Sequence, residues 1–199
     1  IHRSLVGSEM CIRDRSNPEG VVSDITQLSE IAHDEGIPLI IDNTMATQAM
    51  CQPANYGADI IIYSTTKFLS GHGNAMGGCV VDTGKFDWAN NRGFEKLNEP
   101  DTSYHGIKFY ETFGNLAYIN FCHACALRDL GTTMSPFNAY LTLTGIETLN
   151  LRMQKHMSNA KKVANFLIKH NNVDNVSWSG FQNNKSYKLA KKYFKFGFG

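Results

Sequence analysis

Long apolar runs are missing from this sequence, and so is any surplus of charge of one sign. No stretch approaches the roughly 20 apolar residues that a membrane-spanning helix needs. Lysine and arginine number 19 against 18 aspartates and glutamates, which leaves no broad positive field for nucleic acid or an anionic membrane. No run of basic residues supplies one locally. Cysteine is sparse and odd in number, at positions 11, 51, 79, 122 and 125, which excludes a disulfide scaffold and points to a reduced, cytoplasmic protein. What remains is ordinary for a globular chain: 42% hydrophobic residues and a mean hydropathy of −0.28. At 199 residues, one full domain and part of another fit.

Residues 1–15 show neither helical nor alternating periodicity, and no apolar core of a signal peptide. The stretch Ser4 through Gly7-Ser8-Glu9-Met10-Cys11-Ile12-Arg13-Asp14-Arg15 resembles translated sequencing-adapter DNA, and 1–15 is left outside the expected fold as non-native. At the other end the chain stops at Phe196-Gly197-Phe198-Gly199 without a closing element, and both ends read as cuts.

Between them the pattern alternates between helix and buried strand. Asp24 with Gln27 forms a capping box, Ile25, Leu28, Ile31 and Ala32 an apolar face, and Gly36 sits where a helix terminates, so a helix over 25–35 is expected. Ile37-Pro38-Leu39-Ile40-Ile41 reads as a strand ending at Asp42, residues 58–63 as a second ending at Ser64, and 77–81 as a third. Continuous apolar strands separated by crossovers imply an α/β fold, a mostly parallel sheet covered by helices, with ligands bound beyond its carboxyl edge. Asp42 and the run Ser64 to Lys67 fall on that edge. Downstream, 112–130 reads as helical, and Ile146, Leu149, Met153, Met157, Val163, Phe166 and Leu167 trace a long amphipathic helix linking two domains. Asn171-Asn172 ends it and 173–176 reads as strand-like. The expected division is therefore 16–148 for a large domain and 149–199 for the linking helix and the start of a smaller C-terminal one.

A lysine directly after a buried strand, in Ser64-Thr65-Thr66-Lys67-Phe68, is placed where a partly desolvated amine can condense with an aldehyde. The hydroxyls of Ser64 and Thr66 suit phosphate oxygens, and Asp42 on the neighbouring strand end suits a protonated pyridine nitrogen. Each alone is ordinarily a cap or a loop residue. Together and in this order they describe a site for pyridoxal 5′-phosphate (PLP).

Asp42-Asn43-Thr44 and Ser64-x-Thr66-Lys67-Phe68, followed by Gly71-His72-Gly73, resemble the Cys/Met-metabolism family of fold-type-I PLP enzymes. Gly84-Lys85-Phe86-Asp87-Trp88, Ser103-Tyr104-His105-Gly106, Glu111-Thr112-Phe113-Gly114, Leu127-Arg128-Asp129-Leu130-Gly131 and Ser135-Pro136-Phe137-Asn138-Ala139 look like its branch that acts on O-acetylhomoserine. The resemblance runs from Ser16 onward. It implies that Lys67 holds PLP and moves protons at the substrate Cα, that Asp42 pairs with the pyridine nitrogen, and that Ser64 and Thr66 bind the phosphate. Asn17, in Ser16-Asn17-Pro18, would lie near the cofactor's phenolic oxygen. The reaction implied is γ-replacement on O-acetyl-L-homoserine by sulfide or methanethiol, giving homocysteine or methionine and acetate, in a homo-oligomer. A cystathionine γ-synthase or γ-lyase reaction in the same family, or a non-catalytic fragment, are the alternatives. The family's upstream phosphate loop, its ring-stacking tyrosine, the Tyr and Arg lent by a neighbouring subunit, and its downstream carboxylate-binding arginine have no counterpart in these residues. Turnover by the 199 residues alone is therefore not expected.

Other signals point to structure. Cys122-His123-Ala124-Cys125 lacks the second pair of a zinc site, and two small buried residues are expected, with no metal. His72 between glycines shapes a turn, and Arg128, Arg152 and His156 serve caps or ion pairs.

Overall fold

The computed structural model describes residues 10–13 and 20–199. Four strands, β1 (Met10–Arg13), β2 (Leu39–Asp42), β3 (Ile60–Ser64) and β4 (Gly78–Asp82), form one sheet in the order β1-β2-β3-β4. The first three run parallel and β4 antiparallel, so the start of β4 meets the carboxyl end of β3. The helices are α1 (Ile25–Asp34), the short α2 (Thr47–Met50), α3 (Glu95–Asn98), α4 (Phe109–Phe113), α5 (Ala117–Phe121) and α6 (Arg128–Leu130), then α7 (Pro136–Glu147), α8 (Leu149–Leu167) and α9 (Tyr187–Tyr193). Among the described residues no helix is long and apolar enough to cross a membrane.

The period of two along the strands divides the apolar residues between two cores. Leu39 and Ile41 of β2 with Ile61 and Tyr63 of β3 face one cluster, shared with Ile25, Ala32, Met50, Leu149, Met153 and Tyr193. Ile60 faces the other, with Ile40 and Ile62 packed against Phe86, Trp88, Leu97, Phe109 and Ala117. There Phe86, Trp88 and Phe94 meet edge to face, and Trp88 stacks on Tyr118 at 5.1 Å. The sheet is thus covered on both faces, as its apolar strands require.

Helix α1 begins and ends where its sequence directs. The Asp24 carboxylate accepts the Gln27 N–H, while at the other end the N–H of Gly36 (φ 69°) donates to His33 and that of Ile37 to Ala32, a Schellman closure. With the Ile37 N–H so used and no N–H on Pro38, β2 starts at Leu39 rather than at Ile37. The buried Asp59 carboxylate accepts the Leu39 N–H at 2.8 Å and lies 2.8 Å from His33 Nε2, tying α1, β2 and the approach to β3 together.

Three expectations need correction and a fourth needs refinement. Met10–Arg13, left outside the fold, pairs along β2 from Met10 opposite Leu39 to Arg13 opposite Asp42; main-chain pairing at a sheet edge needs no side-chain period. The span 112–130 is helical as expected but not as one regular helix: Gly114 (φ 55°) stops α4, and from Ala117 to Leu130 the run continues unbroken through a π-helical stretch at Cys122–Leu127. The long linking helix is two, broken at Thr148 (φ −101°, ψ 4°), and beyond Met157 its apolar stripe is open at Val163 and Phe166. Residues 173–176 form no strand: the Val173 N–H turns back to the His170 carbonyl. The break at Thr148 coincides with the expected domain division, although residues on both sides of it share the first core.

Helix α9 is fastened to α1 through Tyr193, whose side chain is fully buried. Its hydroxyl donates to the Asp24 carboxylate and accepts the Thr26 N–H at 3.1 Å. Chiefly because of that hydroxyl, the Asp24 carboxyl titrates below its ordinary 3.8, against the opposing effect of burial. A depressed carboxyl stabilises the fold above its ordinary value, and that contribution fades as pH falls through the lowered one. Tyr193→Phe is therefore expected to cost about 1–3 kcal/mol near neutral pH, as loss of a buried hydrogen bond does. The gap between urea unfolding curves of the two proteins should narrow in acid, leaving the pH-independent share from the Thr26 N–H; a gap independent of pH would contradict this role for Asp24.

Candidate functional site

The carboxyl edge of the parallel strands is locked by three hydrogen bonds in the segment Asp42–Thr44, one wholly main-chain and two from a main-chain N–H to a side-chain oxygen. Register sets Asp42 opposite Ile62, two residues before the end of β3. The ladder continues one step further as the Asn43 N–H donates to the Ile62 carbonyl at 3.0 Å. The Asp42 carboxylate accepts the Thr44 N–H at 3.0 Å, an Asx turn that bends the chain over the strand end. Thr44 Oγ1 then accepts the Ser64 N–H at 2.8 Å. Asn43, fully buried, completes the junction by donating to the Cys51 carbonyl and to the Tyr63 hydroxyl. Asp42 and Ser64, half-buried, are thereby held on the same edge.

After Ser64 the chain makes a π-helical turn, Thr65–Leu69, with the Ser70 N–H bonded to the Thr65 carbonyl. Lys67 lies inside it with a non-helical backbone (φ −87°, ψ −121°). The antiparallel return of β4 supports the turn: the Thr65 N–H donates to the Gly77 carbonyl at 3.0 Å, and Thr66 Oγ1 accepts the Gly77 N–H at 3.1 Å. A Cβ at Gly77 would come within 2.8 Å of Thr65 Oγ1 and 2.3 Å of the Met134 methyl, so a larger residue here would push on the Thr65 hydroxyl and the end of the methionine. In the connection after β2, at the start of α2, Thr47 adopts a left-handed backbone (φ 55°) while fully buried, an outlier that costs on the order of 1–3 kcal/mol for such a residue.

Of the residues singled out in the sequence, Asp42, Ser64, Thr66 and Lys67 fall on this one edge, and Asn17 lies outside the described residues. Lys67 is exposed, so the desolvation expected of its amine is not supplied by the described chain. His72 Nδ1 lies 2.5 Å from the Ser70 carbonyl, in a turn-shaping position. Arg128 pairs with Asp129 at 2.7 Å, and His156 meets the Phe68 ring edge-on. Cys125 is buried and Cys122 half-buried, both as thiols. Thr44, Gly77 and Thr47 were not singled out as site residues. Thr44 had a signal in the Asp-x-Thr turn at a strand end, whereas the strain at Thr47 had none.

The donor set fits PLP. A carboxylate suits the pyridinium, an amine suits the aldehyde, and two hydroxyls suit the phosphate, all on adjoining strand ends. Thr66 Oγ1 sits only 3.4 Å from the Gly77 carbonyl, so it can give up that weak contact to donate to a phosphate oxygen while still accepting the Gly77 N–H.

The fold and site are those of an α/β protein with a lysine-bearing turn at the carboxyl edge of a largely parallel sheet. The model of the Cys/Met metabolism PLP-dependent enzymes matches residues 11–199, and the chain belongs to that family. It is 47% identical over 185 residues to the homocysteine synthase of Schizosaccharomyces pombe, covering 92% of this chain and 43% of that protein. To the O-acetyl-L-homoserine sulfhydrylase of Leptospira meyeri it is 46% identical over 189 residues, with coverage of 91% and 42%. A solved structure from Campylobacter jejuni subsp. jejuni NCTC 11168, described as an O-acetylhomoserine (thiol)-lyase with N′-pyridoxyl-lysine-5′-monophosphate, superposes with a TM-score of 0.90 at 36% identity. It covers 98% of this chain and 49% of that one. The chain thus spans less than half the length of these relatives, and its fold is the fold-type-I PLP fold expected from the sequence.

If the Thr44 hydroxyl locks the two strand ends, Thr44→Val should destabilise the protein by about 1–2 kcal/mol, since it leaves the Ser64 N–H without its acceptor. Thr44→Ser should restore most of the loss in urea unfolding. A Val variant within about 0.5 kcal/mol of the original, as for an ordinary surface change, would contradict the lock.

Proposed function

We propose that this chain carries the PLP-binding core of an enzyme that performs γ-replacement on O-acetyl-L-homoserine. In that reaction sulfide or methanethiol forms the new bond at Cγ, the Cγ–O bond breaks, and acetate leaves, giving homocysteine or methionine. The observation that carries the reading is the placement of Asp42 at the end of β2 and Lys67 in the turn after the adjoining β3, in a chain 46–47% identical to proteins named for this chemistry.

Bound PLP would supply an electron sink for the bonding electrons released at the substrate Cα. The residues of this chain do the rest. Lys67 would hold the cofactor through its amine, and the same amine is placed to act as the base that takes and returns the substrate Cα proton. The Asp42 carboxylate holds a proton on the pyridine nitrogen, because a neighbouring negative charge favours the protonated ring. Ser64 and Thr66 donate to phosphate oxygens, and Asn17 serves the cofactor's phenolic oxygen and the substrate. Residues 16–148 form the PLP domain in this reading, and 149–199 the linking helix and the start of a second. The working form is a homo-oligomer in the cytoplasm. The exposed Phe137, Tyr140 and Leu143 of α7 offer an apolar face to a second copy, and Cys51, Cys79, Cys122 and Cys125 are thiols.

The test is to incubate the protein with PLP, reduce with borohydride and map the labelled peptide. Label is expected on Lys67 and absent in Lys67→Ala; Lys67→Arg should also fail, because a guanidinium stays protonated. In an enzyme completed to the length of its relatives, Asp42→Asn should keep PLP but lower turnover about 100-fold, corresponding to roughly 3 kcal/mol. Label on another lysine, or an Asn variant with unchanged rates, would refute the assignment.

A further inference from the structure

The backbone of Lys67 departs from the helical conformation of the turn around it, and the residues on either side of it are held by contacts from outside the turn. Contacts to Gly77 hold the entry to the turn. Its exit is held by one side chain from far along the sequence. Arg152, on the first turns of α8, donates through Nη1 to the Phe68 carbonyl at 2.8 Å and through Nη2 to the Leu69 carbonyl at 3.3 Å. The same guanidinium donates to the Gly145 carbonyl at 2.7 Å and, through Nε, to Thr148 Oγ1 at 3.1 Å. One planar fork therefore bridges the two residues after Lys67 and the break between α7 and α8. Its partners here are uncharged carbonyls and a hydroxyl, so what it supplies is geometry more than ion pairing.

The packing allows this bridge little slack. A Cβ at Gly71 would come within 2.3 Å of Arg152 Nη1, and one at Gly145 within 2.1 Å of the Ser70 carbonyl oxygen. Ser70 is fully buried between them. One turn further along α8, His156 closes on the Phe68 ring at 5.2 Å.

We infer that Arg152 is a positioning residue for Lys67: by fixing the carbonyls of Phe68 and Leu69 to the α7–α8 junction, it sets the direction in which the lysine side chain leaves its turn. This rests on the reading of Lys67 as the PLP-binding lysine. The fork geometry is what matters, since a lysine ammonium cannot span the same carbonyls.

Two measurements on the original protein, Arg152→Gln and Arg152→Lys decide it. The first is native-state amide exchange at Ser70 and Gly71, whose N–H groups close the turn onto the carbonyls of Thr65 and Lys67. Both variants should exchange at least ~10-fold faster there, with the amides of α1 and β2 unchanged. The second is the rate at which PLP becomes trapped on Lys67 by borohydride, which should fall about 10-fold or more when the amine is misaimed. Unchanged exchange at Ser70 and Gly71, or unchanged trapping, overturns the inference. So does exchange that rises equally in α1 and β2, which would make Arg152 a support of the whole fold. Trapping on Lys67 that is equally fast in all three proteins overturns the inference alone; an original protein that traps no PLP on Lys67 overturns the functional reading and the inference with it.

Discussion

The hydrogen bond from the Ser64 N–H to Thr44 Oγ1, 2.8 Å long, joins the ends of two parallel strands that the sheet itself would leave to diverge. Parallel ladders stop where one chain turns away, and here β2 turns first. The Asx turn at Asp42 bends that chain back over β3, and Thr44 replaces the lost ladder partner with a side-chain acceptor. Everything downstream inherits its position from this junction. The turn that bears Lys67 starts at the residue so held, and the carboxylate of Asp42 is oriented by the same turn.

The second constraint is that the lysine-bearing turn is anchored from both sides by non-local contacts. The antiparallel β4 brings Gly77 against its entry, and α8 brings Arg152 against its exit. The first anchor lies across the β3–β4 connection and the second far along the chain, so the turn's unusual backbone is a product of contacts beyond its own residues. The two apolar clusters keep these anchors in register: β2 and β3 contribute alternate residues to each, and a slip by one residue would exchange the cores.

Much of this was legible in the sequence. Asp24, Gln27 and Gly36 marked both ends of α1, and the apolar strands that end in Asp42 and Ser64 gave the sheet and its binding edge. Boundaries shifted where a backbone donor was already committed, as at Ile37 and Pro38. The break at Thr148 was hidden because Ile146, Leu149 and Met153 keep helical spacing across it, so the period continues where the helix does not. The pairing of Met10–Arg13 was invisible because edge pairing uses the main chain. Arg152 read as a cap or an ion-pair partner, and it does bond free carbonyls, but sequence could not say that two of them follow Lys67. The exposure of Lys67 was not legible either, since the burial of a side chain after a strand end is set by tertiary contacts that its local sequence does not carry.

The central claim is that Asp42 and Lys67 serve one cofactor molecule from adjoining strand ends. It is tested most directly by nitrogen-15 NMR of PLP labelled at the pyridine nitrogen and bound to the protein. The account predicts a protonated nitrogen while the cofactor is attached to Lys67, and loss of that proton in Asp42→Asn with attachment retained. An unprotonated nitrogen in the original protein, or one indifferent to Asp42, would contradict it.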